Sequence, residues 1–224
     1  MKMICTFFSF FCVVRLCAQI PGTLDTSLDG DGIWISSFGS AGDVILDVAL
    51  TPQNGIVCLG IIASDATGYV VMALEEDGTS DNSFGTEGFV YLSEVLPGFA
   101  PAAMTWDNQN RIVLAGSTGG FQEQDLAVAR LLANGEVDMT FDTDGLASYS
   151  YSVTSDVLRS VIVDSQGRIV ACGDTFSGTV TDQNILVTRL QENGDLDTNF
   201  GDNGMYALED STTMEAGMSL KVNG

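Results

Sequence analysis

A chain of 224 residues with 45% hydrophobic content is long enough and apolar enough to fold rather than stay disordered. Eight basic residues face 30 acidic ones, a net charge of −22, which repels phosphate backbones and anionic lipid head groups and so excludes nucleic acid and membrane surfaces as partners. Histidine is absent, which removes Ser-His-Asp and Cys-His arrangements, histidine bases and most zinc or iron sites.

The chain opens on a segment unlike the rest. Lys2 gives a basic start, Ile4 to Val14 form an apolar run, and Leu16-Cys17-Ala18 precedes Gln19. That is the layout of a secretory signal peptide over residues 1–18, with cleavage expected after Ala18. The run is too short to span a membrane, and no other segment approaches that length, so no membrane insertion is expected. Lipidation at Cys17 is the weaker alternative, because Val14-Arg15-Leu16 is a poor lead-in for it. The remainder, without Lys2 and Arg15, holds six bases against 30 acids, a charge of −24, which favours cations and solubility over any anionic partner. The protein is expected to be secreted or carried at the cell surface. Cys58 and Cys172 remain after cleavage, in apolar runs of non-adjacent repeats, and are expected as buried free thiols rather than a disulfide.

From residue 19 onward the sequence is one array. L-D-T-S-L-D-G-D-G at Leu24–Gly32 returns as S-D-N-S-F-G-T-E-G at Ser80–Gly88, V-D-M-T-F-D-T-D-G at Val137–Gly145 and L-D-T-N-F-G-D-N-G at Leu196–Gly204. The marker aspartates Asp25, Asp81, Asp138 and Asp197 fall 56, 57 and 59 residues apart, a period that identifies a repeat architecture. Repeats start near residues 24, 80, 137 and 196. Each is too small to bury a core without its neighbours.

Four short apolar runs follow in each repeat. The first lies behind the marker glycines Gly32, Gly88, Gly145 and Gly204: Ile33–Ile35, Phe89–Leu92, Leu146–Tyr151 and Met205–Leu208. The second is Val44–Leu50, Ala102–Trp106 and Leu158–Val163, and the third Ile56–Ile61, Ile112–Ala115 and Ile169–Cys172. The fourth, Tyr69–Leu74, Leu126–Leu132 and Ile185–Leu190, closes at Asp77-Gly78, Asn134-Gly135 and Asn193-Gly194, pairs suited to tight turns. Run length, β-branched enrichment and turn punctuation predict strands throughout. The fourth run is apolar on both faces, which places it inside a stack of sheets. Four-stranded units at this period predict an all-β fold, a β-propeller-like array of about three and a half repeats; a parallel β-helix is the rival, with coils too short for four turns each.

The strings L-D-x-S-F-G-x-x-G, V-x-x-x-x-D-G-x-I-V-x-x-G and L-x-R-L-x-x-x-G resemble the delta-60 repeat family, from Leu24 to the last residue. The best copy is Leu196-Asp197-Thr198-Asn199-Phe200-Gly201, with Arg189-Leu190 and Asn193-Gly194 ahead of it; Leu28 and Ser80 depart from the pattern. The resemblance implies secreted bacterial proteins with propeller-like β structure and brings no catalytic residues. The closing stretch Met218–Gly224 matches Ala49–Gly55, so the fourth repeat is expected to be incomplete, and further repeats or a partner chain are expected to close the ring.

Chemistry has few candidates. Asp29 and Asp31, and Asp142 and Asp144, offer oxygen ligands at alternate positions, as in a calcium loop, but the other two copies lack them and no closing Glu follows. The favoured reading makes Asp25, Asp81, Asp138 and Asp197 turn-holding residues, with no cofactor. Arg111, Arg168, Arg130 and Arg189 recur at repeat positions and are expected in structural ion pairs; Trp34 and Trp106, in strand runs, are expected in the core rather than as sugar platforms. The functional expectation is a non-catalytic extracellular binding or structural module whose partner is a protein or a glycan. Two alternatives are a glycan-active enzyme working through paired carboxylates and a calcium-stabilised surface adhesin.

Overall fold

The computed structural model describes residues 22–35, 42–63, 68–120, 123–176, 183–208 and 219–221. The expected leader, residues 1–18, lies outside the described residues. Twelve strands and one helical turn form three four-stranded antiparallel blades. The first blade holds β1 (Val44–Leu50), β2 (Ile56–Ile62), β3 (Gly68–Leu74) and β4 (Phe89–Tyr91). The helical turn α1 (Leu92–Val95) follows it. The second blade holds β5 (Phe99–Trp106), β6 (Ile112–Gly120), β7 (Glu123–Leu131) and β8 (Leu146–Tyr149). The third holds β9 (Ser155–Val163), β10 (Ile169–Phe176), β11 (Gln183–Leu190) and β12 (Met205–Leu208). Among the described residues a single parallel pairing, Gln124 with Ser155, joins the second and third blades, and no sheet closes on itself. The fold is an incomplete propeller-like array.

The blade is not the sequence repeat. The strand behind each marker glycine pairs with the last strand of the repeat before it: β4 with β3, β8 with β7, β12 with β11. That offset corrects the expectation for Ile33–Ile35, which is not a strand, because no such partner strand precedes it among the described residues. Leu92 likewise leaves the expected strand and opens α1.

Alternate residues of the middle strands fill different interfaces, as strand periodicity requires. Val57, Leu59, Val71 and Ala73 of the first blade pack against Ile112, Leu114, Ala127 and Ala129 of the second. Val113, Ala115, Leu126 and Val128 pack against Leu158, Ile169 and Ala171 of the third. Cys58, Ile62, Val70 and Met72 form a smaller cluster beneath Trp34. Both described cysteines are buried, with burial pushing each thiol above its ordinary value.

The first strand of every blade carries a bulge at an equivalent place, at Leu46, Ala102 and Arg159. The glycine facing it (Gly60, Gly116 or Gly173) lets a carbonyl approach closely: a Cβ on Gly116 would lie 2.1 Å from the Ala100 oxygen, and one on Gly173 only 1.9 Å from that of Val157.

Candidate functional site

Antiparallel order puts the turn between first and second strands and the marker turn at the same end of each blade. The repeated aspartates and arginines gather there. Asp25, Asp81, Asp138 and Asp197 each accept, through Oδ1, the backbone N–H two residues on: Ser27 at 3.0 Å, Ser83 at 2.8 Å, Thr140 at 3.0 Å and Asn199 at 3.1 Å. The side chain of that same residue also donates to Oδ1 in all four copies. Four residues after the marker Phe or Leu, the N–H of Gly32, Gly88, Gly145 or Gly204 closes the turn onto the carbonyl of Leu28, Phe84, Phe141 or Phe200, at 2.7–3.0 Å. All four glycines have positive φ. At Gly145 a Cβ would also lie 2.1 Å from the Val137 side chain, so this position requires glycine twice over.

Three of the four marker turns then reach the following blade. The N–H of Asp29 donates to the Asp77 carbonyl, that of Gly85 to Asn134 and that of Asp142 to Asn193, at 2.8–3.0 Å. The Asx-Gly turns thus serve as acceptors between blades.

The second and third blades add a guanidinium to this frame. Nε of the buried Arg130 donates to Asp138 Oδ2 at 2.7 Å, Nη1 reaches the Glu192 carbonyl, and the guanidinium carbon lies 4.7 Å from the centroid of the Phe141 ring. Arg189 repeats this with Asp197 at 2.7 Å and Phe200 at 4.7 Å. A second arginine flanks each: Arg111 binds Asp107 and Glu192, and Arg168 binds Asp164. Burial works to raise the Asp138 carboxyl, but the Thr140 hydroxyl and N–H and the Arg130 guanidinium outweigh it and hold the group below its ordinary value. At Asp197, Asn199 and Arg189 likewise outweigh burial. Burial first, and then the charge of Arg111, lowers Arg130.

The four calcium candidates lie apart as two pairs, Asp29 with Asp31 and Asp142 with Asp144. Asp31 and Asp144 accept the N–H of Ile33 and Leu146 at 2.9 and 3.0 Å. Burial, then Asp144, then Asp195 raise the Asp142 carboxyl. Among the described residues no group of three or more acids or cysteines is gathered to hold a metal ion, and no helix is long and apolar enough to cross a membrane.

At the opposite end of the third blade lies a buried polar network that sequence reasoning did not single out. Asp156 accepts the N–H of Tyr151 and of Ser152 and the hydroxyl of Thr175, and Arg159 pairs with the buried Asp174. Asp156 has a counterpart in Asp43 of the first repeat, which accepts the N–H of Ala63 at 3.1 Å, whereas Asp174 has none, so periodicity gave a partial signal for the first and no signal for the second. Trp34 and Trp106 are both half-buried against apolar clusters.

No curated protein matches the chain. A family model described as a domain of unknown function (DUF5122), beta-propeller, matches residues 110–141 and 165–200. Each match runs from the turn before the second strand to the marker phenylalanine, and these are the two copies with both arginines in place. In residues 110–141 and 165–200 the chain therefore carries the β-propeller repeat of this family, which is the family of the delta-60 repeat.

Proposed function

We propose that this chain is a non-catalytic β-propeller repeat module that is exported and acts outside the cell, in binding or as structure. The observation that supports this reading most is how the recurrent acids and arginines are used. Marker aspartates hold turns with one oxygen, and in two blades grip an arginine with the other. Side chains committed in this way brace blades and leave no general acid or base among them. The sequence supports export through its first eighteen residues.

Two measurements test the reading. Recombinant protein should be recovered from the medium and begin at Gln19; protein found only inside the cells with residues 1–18 retained would overturn export. A broad glycan hydrolysis screen should show no turnover; sustained turnover lost in D156N or D174N would establish the carboxylate enzyme instead. The raised Asp142 carboxyl beside Asp144 and Asp195 favours calcium as a secondary reading. A melting midpoint that moves with calcium and returns with chelator would support it; an unmoved midpoint would remove it.

A further inference from the structure

The first blade lacks both arginines of the clasp and keeps its frame. Ala73 stands where the later blades have Arg130 and Arg189, and Gly55 where they have Arg111 and Arg168. The marker carboxylate and ring remain, as Asp81 and the fully buried Phe84. In place of the missing side chains there is a cleft of about 340 Å³ between the first and second blades.

The lining of that cleft matches, residue for residue, the surroundings of Arg130. Arg130 touches Asp138, Thr140, the Glu192 carbonyl and the Phe141 ring. The residues at the same repeat positions one blade earlier are Asp81, Ser83, Ala133 and Phe84, and all four line the cleft. Trp106 adds a second aromatic wall and Glu75 a second carboxylate, while no basic residue lines it. Asp81 spends Oδ1 on Ser83, as Asp138 spends its own on Thr140. None of the ion pairs among the described residues involves Asp81.

We propose that this cleft is a binding site for a guanidinium group, presented as an arginine side chain from outside the fold. Asp81 and the half-buried Trp106 on the walls of one cleft suit a planar guanidinium better than a compact ammonium. Ala133, which lines the cleft at the repeat position of Glu192, would supply its backbone carbonyl as a second acceptor, as Glu192 does for Arg130. The proposal rests on the binding half of the function proposed above and names its ligand class. Glycan turnover would overturn the non-catalytic reading and leave this site standing, whereas failure to bind arginine would remove only the ligand.

The test is calorimetric titration of the protein with N-acetyl-arginine amide, its citrulline analogue and its lysine analogue. The citrulline compound keeps the shape and loses the charge. Free guanidinium ion, titrated separately, distinguishes a small cation from a peptide-borne side chain: tighter binding of the amide supports the latter. The arginine compound should bind at least tenfold more tightly than either analogue. Asp81→Asn keeps an Oδ1 acceptor for the turn, and should reduce arginine binding to the citrulline level. Ala73→Arg should abolish binding by filling the cleft from within, and should raise the melting midpoint. Equal binding of citrulline or of lysine, or undiminished binding by A73R, would overturn the assignment.

Discussion

The backbone N–H of Met104, in the first strand of the second blade, donates to Oδ2 of Asp47 in the first strand of the first blade, 2.8 Å away. The first strands β1 and β5 are edge strands of their sheets, and an edge N–H needs an acceptor from elsewhere. Ser160, at the position of Asp47 two blades later, accepts the N–H of Leu220 at 3.0 Å in the same manner. Ala103 occupies that position in the second blade and has no acceptor to offer. Replacing Asp47 by alanine is expected to destabilise the protein by about 1.5–3 kcal/mol, the usual range for a hydrogen bond to a charged group. Urea unfolding measures this, and a loss under half a kcal/mol would show that the bond contributes little.

Of the closing stretch Met218–Gly224, matched in sequence to Ala49–Gly55, residues 218 and 222–224 lie outside the described residues; the N–H of Leu220 donates to Ser160 as that of Met104 does to Asp47. Most strands were legible because turns recur at a fixed period, though Ile33–Ile35 and Leu92 were not. The offset between repeat and blade was not, since pairing partners cannot be read from periodicity alone. The cleft was hidden for a similar reason: Ala73 is an unremarkable strand residue until superposed on Arg130.

The glycine ending each I-V-x-x-G or its equivalent illustrates a signal visible in sequence whose cause lies in three dimensions. Its reason is the bulge across from it, which drives a carbonyl toward the Cα. Gly116→Ala and Gly173→Ala force a backbone shift and should each cost about 1–3 kcal/mol, as overpacking does. Gly60→Ala should cost less, because the nearest oxygen would lie at 2.9 Å rather than 2.1 or 1.9 Å. Thermal melts of the three variants rank them; G60A as the most damaging would contradict the geometry.

Arg130 and Arg111 both approach Asp138, at 2.7 and 3.8 Å, but in different surroundings. Arg130 is buried, and its removal strands a buried carboxylate, which typically costs about 3–5 kcal/mol. Arg111 is more open to water and shares its charge with Asp107 and the exposed Glu192, so Arg111→Ala should cost less than Arg130→Ala, although it too leaves a buried carboxylate, that of Asp107. Unfolding curves of R130A and R111A that coincide would show the Arg130 clasp to be no stronger than that of Arg111.

Acid should separate two aspartates that lie four residues apart. The Asp138 carboxyl is held below its ordinary value of 3.8, so its stabilisation is complete above that pH and is lost as pH falls through the folded value. Asp142 has the opposite sign: its folded value is raised, so it works against the folded state at neutral pH and that penalty is relieved on protonation. Asp138→Asn keeps the turn acceptor and should flatten the decline of the melting midpoint between pH 5 and 3. Asp142→Asn suits the left-handed backbone there, with φ of 44°, and should raise the midpoint at pH 7. It should steepen the decline, since the parent's compensating gain is gone. Melting curves from pH 7 to 3 decide the matter: slopes that change in the same direction would mean that Thr140 and Arg130 at Asp138, and burial with Asp144 and Asp195 at Asp142, do not set these two carboxyls apart.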